Sequence, residues 1–159
     1  MKLIWAPWRM RFILDSKKEQ SGCILCNLLK EKDGPENLIL SRNSESYIVI
    51  NKYPYNTGHI MVVPNVHEAD FTKLTAQTLA SMNQQLQKVI TVLNLVYKPV
   101  GFNMGMNLGE AAGAGIPKHA HYHIVPRWTG DNNFMPVIGQ TKVLPETTED
   151  TFNKLKPYF

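Results

Sequence analysis

One stretch governs what this chain can fold into. Across residues 75–97, Leu79, Met82, Leu86, Val89, Ile90, Leu93 and Val96 recur at three- and four-residue steps, with Gln, Lys and Asn between them. That is the period of an amphipathic helix. Thr75 stands where an N-cap belongs, and Pro99-Val100-Gly101 stops the pattern. The segments around it run at β spacing. ENLILSR and SESYIVINK, with the turn residues Arg42-Asn43-Ser44 at their junction, read as paired strands. GHIMVVP is a third strand, closed by Pro64, and GFNMGMN and HAHYHIVP resume after the helix. Strands before and after one long helix predict an α+β domain with a mainly antiparallel sheet and short accessory helices. One such helix is expected over 22–33, ended by Gly34-Pro35, and a last amphipathic segment lies around Phe152 and Leu155.

A length of 159 residues suits one compact domain. Residues 1–21 form an arm of aromatics and bases, among them Trp5, Trp8, Arg9, Arg11 and Phe12, and residues 140–159 are expected to pack on the domain as an extension. A hydrophobic fraction of 43% excludes a disordered chain. No apolar run reaches about 18 residues, so no membrane span is expected. MKLIWAPWRMRF lacks an uninterrupted apolar core and a small-residue cleavage site, which argues against a secretory leader and for the cytoplasm. Lys and Arg number 17 against 13 Asp and Glu, a net charge of +4. That balance favours anionic ligands but is too mild to argue for nucleic acid.

The chemistry concentrates in His119-Ala120-His121-Tyr122-His123. On a strand, alternate side chains share a face, so the three imidazoles point one way. A strand rises about 3.4 Å per residue, which separates His119 from His123 by roughly 13–14 Å at the backbone, against metal–nitrogen bonds of about 2 Å. The outer two cannot readily share an ion on a straight strand, and the row reads as a division of labour. Immediately before it runs GEAAGAGIP, whose small residues let backbone amides approach an anion. Beside three imidazoles, with Lys118 at its edge, that loop points to a phosphate-bearing substrate. An imidazole of ordinary pKa, about 6.5, is mostly neutral at pH 7 and can attack phosphorus. The two cysteines form a C-x-x-C, Cys23 and Cys26. In an intracellular chain that spacing reads as metal-binding or redox, and no strand precedes it in the thioredoxin manner.

H-A-H-Y-H-I-V resembles the motif of the histidine triad (HIT) family, His-x-His-x-His followed by two apolar residues. GHIMVVP resembles that family's second marker, in which a His opens a strand ending at Pro. Asn51, eight residues before His59, matches its ribose-holding acidic or amide residue. The resemblance covers roughly residues 22–139. W-A-P-W-R and the run from Pro126 to Val137 resemble the bacterial branch that includes diadenosine tetraphosphate phosphorylases, a branch that also holds hydrolases.

The resemblance implies a HIT-like fold and a nucleotidyl hydrolase or transferase. His121 would attack the α-phosphate of a dinucleoside polyphosphate and form a nucleotidyl-histidine, resolved by inorganic phosphate or water. His123 and His59 would orient and hydrogen-bond. Asn51 would hold the ribose. Asn107, with Gly113, Ala114, Gly115 and Ile116, would contact phosphate, in a loop about one residue longer than in some relatives. Cys23, Cys26, His67 and His119 would hold a structural zinc, with no organic cofactor, and two-fold dimers are common in the family. Ile4, Phe12, Leu25 and Ile50 are candidates for the base pocket. A nucleotide-binding signalling module with little catalysis and a nucleoside phosphoramidate hydrolase are the competing expectations. A DNA-adenylate repair enzyme of aprataxin type usually adds a C-terminal zinc finger, and no Cys follows Cys26.

Overall fold

The computed structural model describes residues 22–131, 134, 138, 139 and 143–159. The aromatic arm, with Ile4 and Phe12, lies outside the described residues, as do Asn132, Asn133 and Met135 to Val137. Five strands form one antiparallel sheet: β1 (Ile39–Arg42), β2 (Ser46–Ile50), β3 (Ile60–Pro64), β4 (Gly101–Gly105) and β5 (Tyr122–Arg127), in the order β1-β2-β3-β5-β4. Three α-helices accompany it among the described residues: α1 (Ile24–Leu28), α2 (Ala76–Tyr97) and α3 (Thr148–Leu155). This is the α+β architecture that the sequence predicts.

The centre of the sheet is buried on both faces. All five residues of β2 and all five of β3 are buried, which explains why they read as continuous apolar runs rather than alternating ones. Alternation still assigns the faces. Ser46 meets Gln85 and Ser81 of α2, so Ser46, Ile48 and Ile50 face that helix. Tyr47 donates its hydroxyl to the Leu25 carbonyl of α1 at 2.8 Å, so Tyr47 and Val49 face the other way. Register carries this second face across the sheet, from Val49 to Met61 and from Met61 to His123.

Helix α2 begins where predicted, with Thr75 Oγ1 accepting from the Thr78 amide at 3.1 Å. It ends at Lys98 in a left-handed conformation (φ 46°). Met82, Leu86, Val89 and Leu93 form its buried stripe, each contributing about 1.5–3 kcal/mol by removal from water. Two polar residues lie inside the stripe. Gln85 donates to the Ser46 carbonyl at 2.9 Å, and Thr78 to Glu45 at 2.9 Å, which fixes the helix along the sheet by direction as well as by area. Helix α3 carries a capping box, Thr147 with Asp150, and sends Phe152 and Leu155 into the same core. Lys156 then donates to the Leu40 carbonyl at 2.7 Å.

Two elements are shorter than predicted. Helix α1 stops at Leu28, well before Gly34-Pro35. The Arg42 guanidinium takes the carbonyls of Leu29 at 2.8 Å and Glu31 at 2.9 Å, so the chain after α1 leaves the helical ladder. β5 begins at Tyr122 rather than His119. The β3–β5 register, Ile60 to Ile124 and Val62 to Tyr122, sets Ala120 against Pro64, which has no N–H to donate. The ladder ends there, and Ala120 donates instead to the Glu68 carbonyl at 2.7 Å. Among the described residues no helix is long and apolar enough to cross a membrane.

Candidate functional site

The end of that ladder creates two side-chain clusters that meet at His119. Pro64 and the departure of residues 119–121 leave the Pro64 carbonyl free of the strand, and it accepts His119 Nε2 at 2.9 Å. A carbonyl oxygen only accepts, so Nε2 carries the proton and Nδ1 keeps a lone pair. That lone pair lies 3.4 Å from Cys23 Sγ and 3.5 Å from Cys26 Sγ, while His67 Nδ1 lies 3.3 Å from Cys26 Sγ. The four ligand atoms all fall within 4.8 Å of one another. Around a tetrahedral zinc, with bonds of about 2.3 Å to sulfur and 2.0–2.1 Å to nitrogen, a sulfur–nitrogen edge is about 3.5 Å. Two thiols and two imidazoles at those separations fit such an ion, so Cys23, Cys26, His67 and His119 can hold a metal.

The second cluster is a relay of imidazoles. The Tyr55 backbone N–H donates to His59 Nδ1 at 3.0 Å. Nδ1 is then the unprotonated nitrogen of a neutral ring, and Nε2–H donates to His123 Nδ1 at 2.9 Å. His123 is left with its proton on Nε2. His121 donates Nδ1–H to the His119 carbonyl at 2.8 Å, which leaves its Nε2 lone pair unshared. The His121 and His123 rings meet edge to face with centroids 4.7 Å apart. Of these two neighbouring rings, one thus offers a lone pair and the other an N–H.

Burial holds these rings neutral. His59 is fully buried and pushed down to about 3, chiefly by desolvation, with His123 and His121 adding repulsion to any charge. His123 falls to about 4 by desolvation and then by His121. His121 also lies below the usual histidine value, through desolvation opposed by its bond to the His119 carbonyl. A neutral nucleophilic nitrogen beside a neutral donor suits attack on a phosphate ester or anhydride.

Asn51 joins this cluster. Its Oδ1 accepts the Tyr53 amide at 2.9 Å, and its Nδ2 lies 3.4 Å from His59 Nδ1. β4 pairs Gly105 with His123, and the same register carried two residues further aligns Asn107 with His121. The loop after it is a 3-10 turn, Glu110–Ala112, between Gly109 (φ 83°) and Gly113 (φ 82°), conformations that glycine tolerates best. The amides of Gly113 and Ala114 are already used within that turn, at 2.9 and 3.4 Å. Among the described residues those of Gly115 and Ile116, and the Asn107 side chain, make no hydrogen bond. Lys118 is exposed at the loop's end. Leu25 and Ile50, expected near a base, are 1% and 2% exposed and belong to the core, closed off from a ligand.

Sequence reasoning missed the groups that set the tautomers. They are the Tyr55 amide and the carbonyls of Pro64 and His119, backbone atoms with no residue-type signal. The Tyr55 ring was also missed; it covers His59 at 4.5 Å and His123 at 5.7 Å between centroids. An aromatic among the turn residues of NKYPYNTG is its one trace in the sequence.

A model of the HIT domain matches residues 32–130. An AP-4-A phosphorylase of Mycobacterium tuberculosis is 37% identical over 157 residues, covering 95% of this chain and 80% of that protein. The fold is similar to that of a zinc-bound histidine triad family protein from Mycobacterium smegmatis, with a TM-score of 0.68 at 23% identity over 86% of this chain and 92% of that one. A hypothetical histidine triad nucleotide-binding protein from Sulfolobus tokodaii gives 0.68 at 25% identity, over 86% of this chain and 91% of that one.

Proposed function

From the premise that this chain belongs to the HIT-domain family, matched over residues 32–130, we propose that it cleaves a dinucleoside polyphosphate such as diadenosine tetraphosphate and passes the nucleotidyl group to inorganic phosphate. The observation that carries the reading is the His121 ring. Its Nδ1–H is held by the His119 carbonyl at 2.8 Å, which leaves an Nε2 lone pair, and the neighbouring His123 ring, 4.7 Å away between centroids, carries an Nε2–H. In the first step the His121 Nε2 lone pair forms a bond to the α-phosphorus. The bond from that phosphorus to the bridging oxygen breaks, and ATP leaves. In the second step a phosphate oxygen attacks the same phosphorus, the P–N bond breaks, and ADP leaves with the lone pair restored to Nε2.

Position supports the other roles in this reading. His123 donates Nε2–H to the phosphate, and His59 fixes His123 through its Nδ1. Asn107 and the amides of Gly115 and Ile116 are open to phosphate oxygens, and Asn51 holds the ribose. The 37%-identical relative, an AP-4-A phosphorylase, favours phosphate over water as acceptor. A zinc ion on Cys23, Cys26, His67 and His119 would act as a structural cross-link between α1, the segment after β3 and the entry to β5. A second copy would pair at β4, an edge strand of the sheet, where Met104 is 54% exposed and Leu108, just beyond the strand, is 49% exposed. We place the activity in the cytoplasm.

The acceptor assay tests the proposal. Purified protein with diadenosine tetraphosphate should form ADP and ATP only when phosphate is added. AMP and ATP formed without phosphate would replace the phosphorylase with a hydrolase, and no turnover of any dinucleoside polyphosphate would end the reading. Molecular mass in solution tests the dimer.

A further inference from the structure

His59 is fixed by a side chain that its own ring does not touch. Asn56, 6% exposed, stands inside the turn between Tyr55 and His59. Its carbonyl accepts the His59 amide at 3.2 Å. The residue before it, Tyr55, supplies the N–H that decides the His59 tautomer, at 3.0 Å. Holding Asn56 therefore holds both the donor to the ring and the backbone that bears it. Two bonds do the holding. Asn56 Nδ2 donates to the Pro126 carbonyl at 3.0 Å and to Asp131 Oδ2 at 2.9 Å. Pro126 lies three residues beyond His123 on β5, so the first bond sets the loop at the distance across which His59 and His123 meet.

Asp131 anchors the arrangement from outside. Its side chain is 9% exposed. It takes Arg127 through both Nε at 2.6 Å and Nη2 at 2.8 Å, a fork that is directional as well as charged, and it accepts the Trp128 amide at 3.2 Å. Arg127 in turn donates to Asn103 of β4. One carboxylate thus ties together the His59 loop, the strand of His123 and the edge strand. Thr57 offers no alternative anchor, since its buried hydroxyl has no partner among the described residues. The loop also lies hard against β5, for a Cβ built on Gly58 (φ 73°) would come within 3.2 Å of Pro126.

We propose that Asp131, acting through Asn56, is a positioning residue for the imidazole relay, keeping His59 in the single tautomer that feeds His123. The proposal rests on the reading of His121 and His123 as the reactive pair. Nitrogen-15 spectra of labelled histidine report the tautomer without any substrate. In the full chain His59 should be protonated on Nε2 alone. Asn56→Ala and Asp131→Ala should give mixed tautomers at His59 and lower kcat by about tenfold or more, the cost of a slightly misplaced catalytic group. KM should stay within about threefold, because ground-state binding is untouched. Asp131→Asn keeps an oxygen for Asn56 and should retain the His59 tautomer with a smaller loss. Thr57→Val should change neither readout. Asn56→Ser carries the same expectations as Asn56→Ala if that variant does not fold. Mixed tautomers in the unaltered protein would overturn the proposal. So would alanine variants with the original His59 spectrum and kcat within about twofold. Protein inactive on every dinucleoside polyphosphate would sink the function reading instead, and the spectra alone would then decide this one.

Discussion

Lowering the pH should destabilise this protein through His59, and the size of the effect follows from its burial. The ring is fully buried, and desolvation with two neighbouring imidazoles brings it from 6.5 down to about 3. Between those values the unfolded chain binds a proton that the folded protein refuses. Stability therefore rises with pH across that window and is lost as pH falls below about 6.5. At pH 5 the unfolded His59 is almost fully protonated and the folded one is not, which costs about 2 kcal/mol relative to pH 7.5. The cost at pH 5 is the same for any folded value below about 4, so it does not hang on the last unit. Urea unfolding from pH 7.5 to 5, on the native chain and on His59→Gln, is the assay. Gln cannot titrate, and the difference between the two curves cancels what the other histidines and the two thiols contribute in common. The native chain should lose about 2 kcal/mol more than the variant over that range. A difference under about 0.5 kcal/mol would mean that His59 accepts a proton in the folded state, and the relay of neutral rings would be refuted.

Three further outcomes are expected. His121→Ala should lower turnover by about 10⁴-fold or more while nucleotide still binds by calorimetry, since only the proposed nucleophile is gone; full activity in that variant would end the claim for His121. The purified chain should carry about one zinc by elemental analysis, and Cys26→Ser should lower both the zinc content and the melting temperature. Met82→Ala, at a position with no exposure on α2, should cost about 2–5 kcal/mol in denaturant unfolding and leave kcat per folded molecule unchanged.

The parts legible in the sequence are those where residue type and position coincide. Helix α2 was readable because its apolar positions keep one period over 22 residues, and Thr75 caps it with a side chain. Cys23 and Cys26 are legible as a metal-binding or redox pair from residue type and spacing, while His67 and His119 join them only through the resemblance to the HIT family. Element ends were less legible where tertiary partners decide them. Nothing local in 29–33 says that Arg42, on the next strand, will take the carbonyls after α1. The buried polar stripe of α2 hid for a similar reason: Gln85 and Thr78 are ordinary surface residues until Ser46 and Glu45 are brought against them. Leu25 and Ile50, candidates for the base pocket in the sequence, are buried in the core, and an apolar side chain near a site and one in the core look alike in sequence.

Pro64 shows how one backbone feature serves both clusters. A residue with an N–H at that position could extend the β3–β5 ladder through Ala120 and draw residues 119–121 into the strand. The Pro64 carbonyl would then compete between a ladder bond and His119 Nε2. With proline there, the ladder stops, and His119 turns its Nδ1 lone pair towards Cys23 and Cys26 while its carbonyl faces His121 Nδ1. His119 therefore makes contacts at three atoms: Nδ1 towards the two thiols, Nε2–H to the sheet and the carbonyl oxygen to His121, the proposed nucleophile. A metal at the four-residue cluster would restrain the same residue that orients His121. Loss of that metal should consequently disturb the His121 ring before it disturbs the sheet, because β2 and β3 are held by their own ladder and by α2.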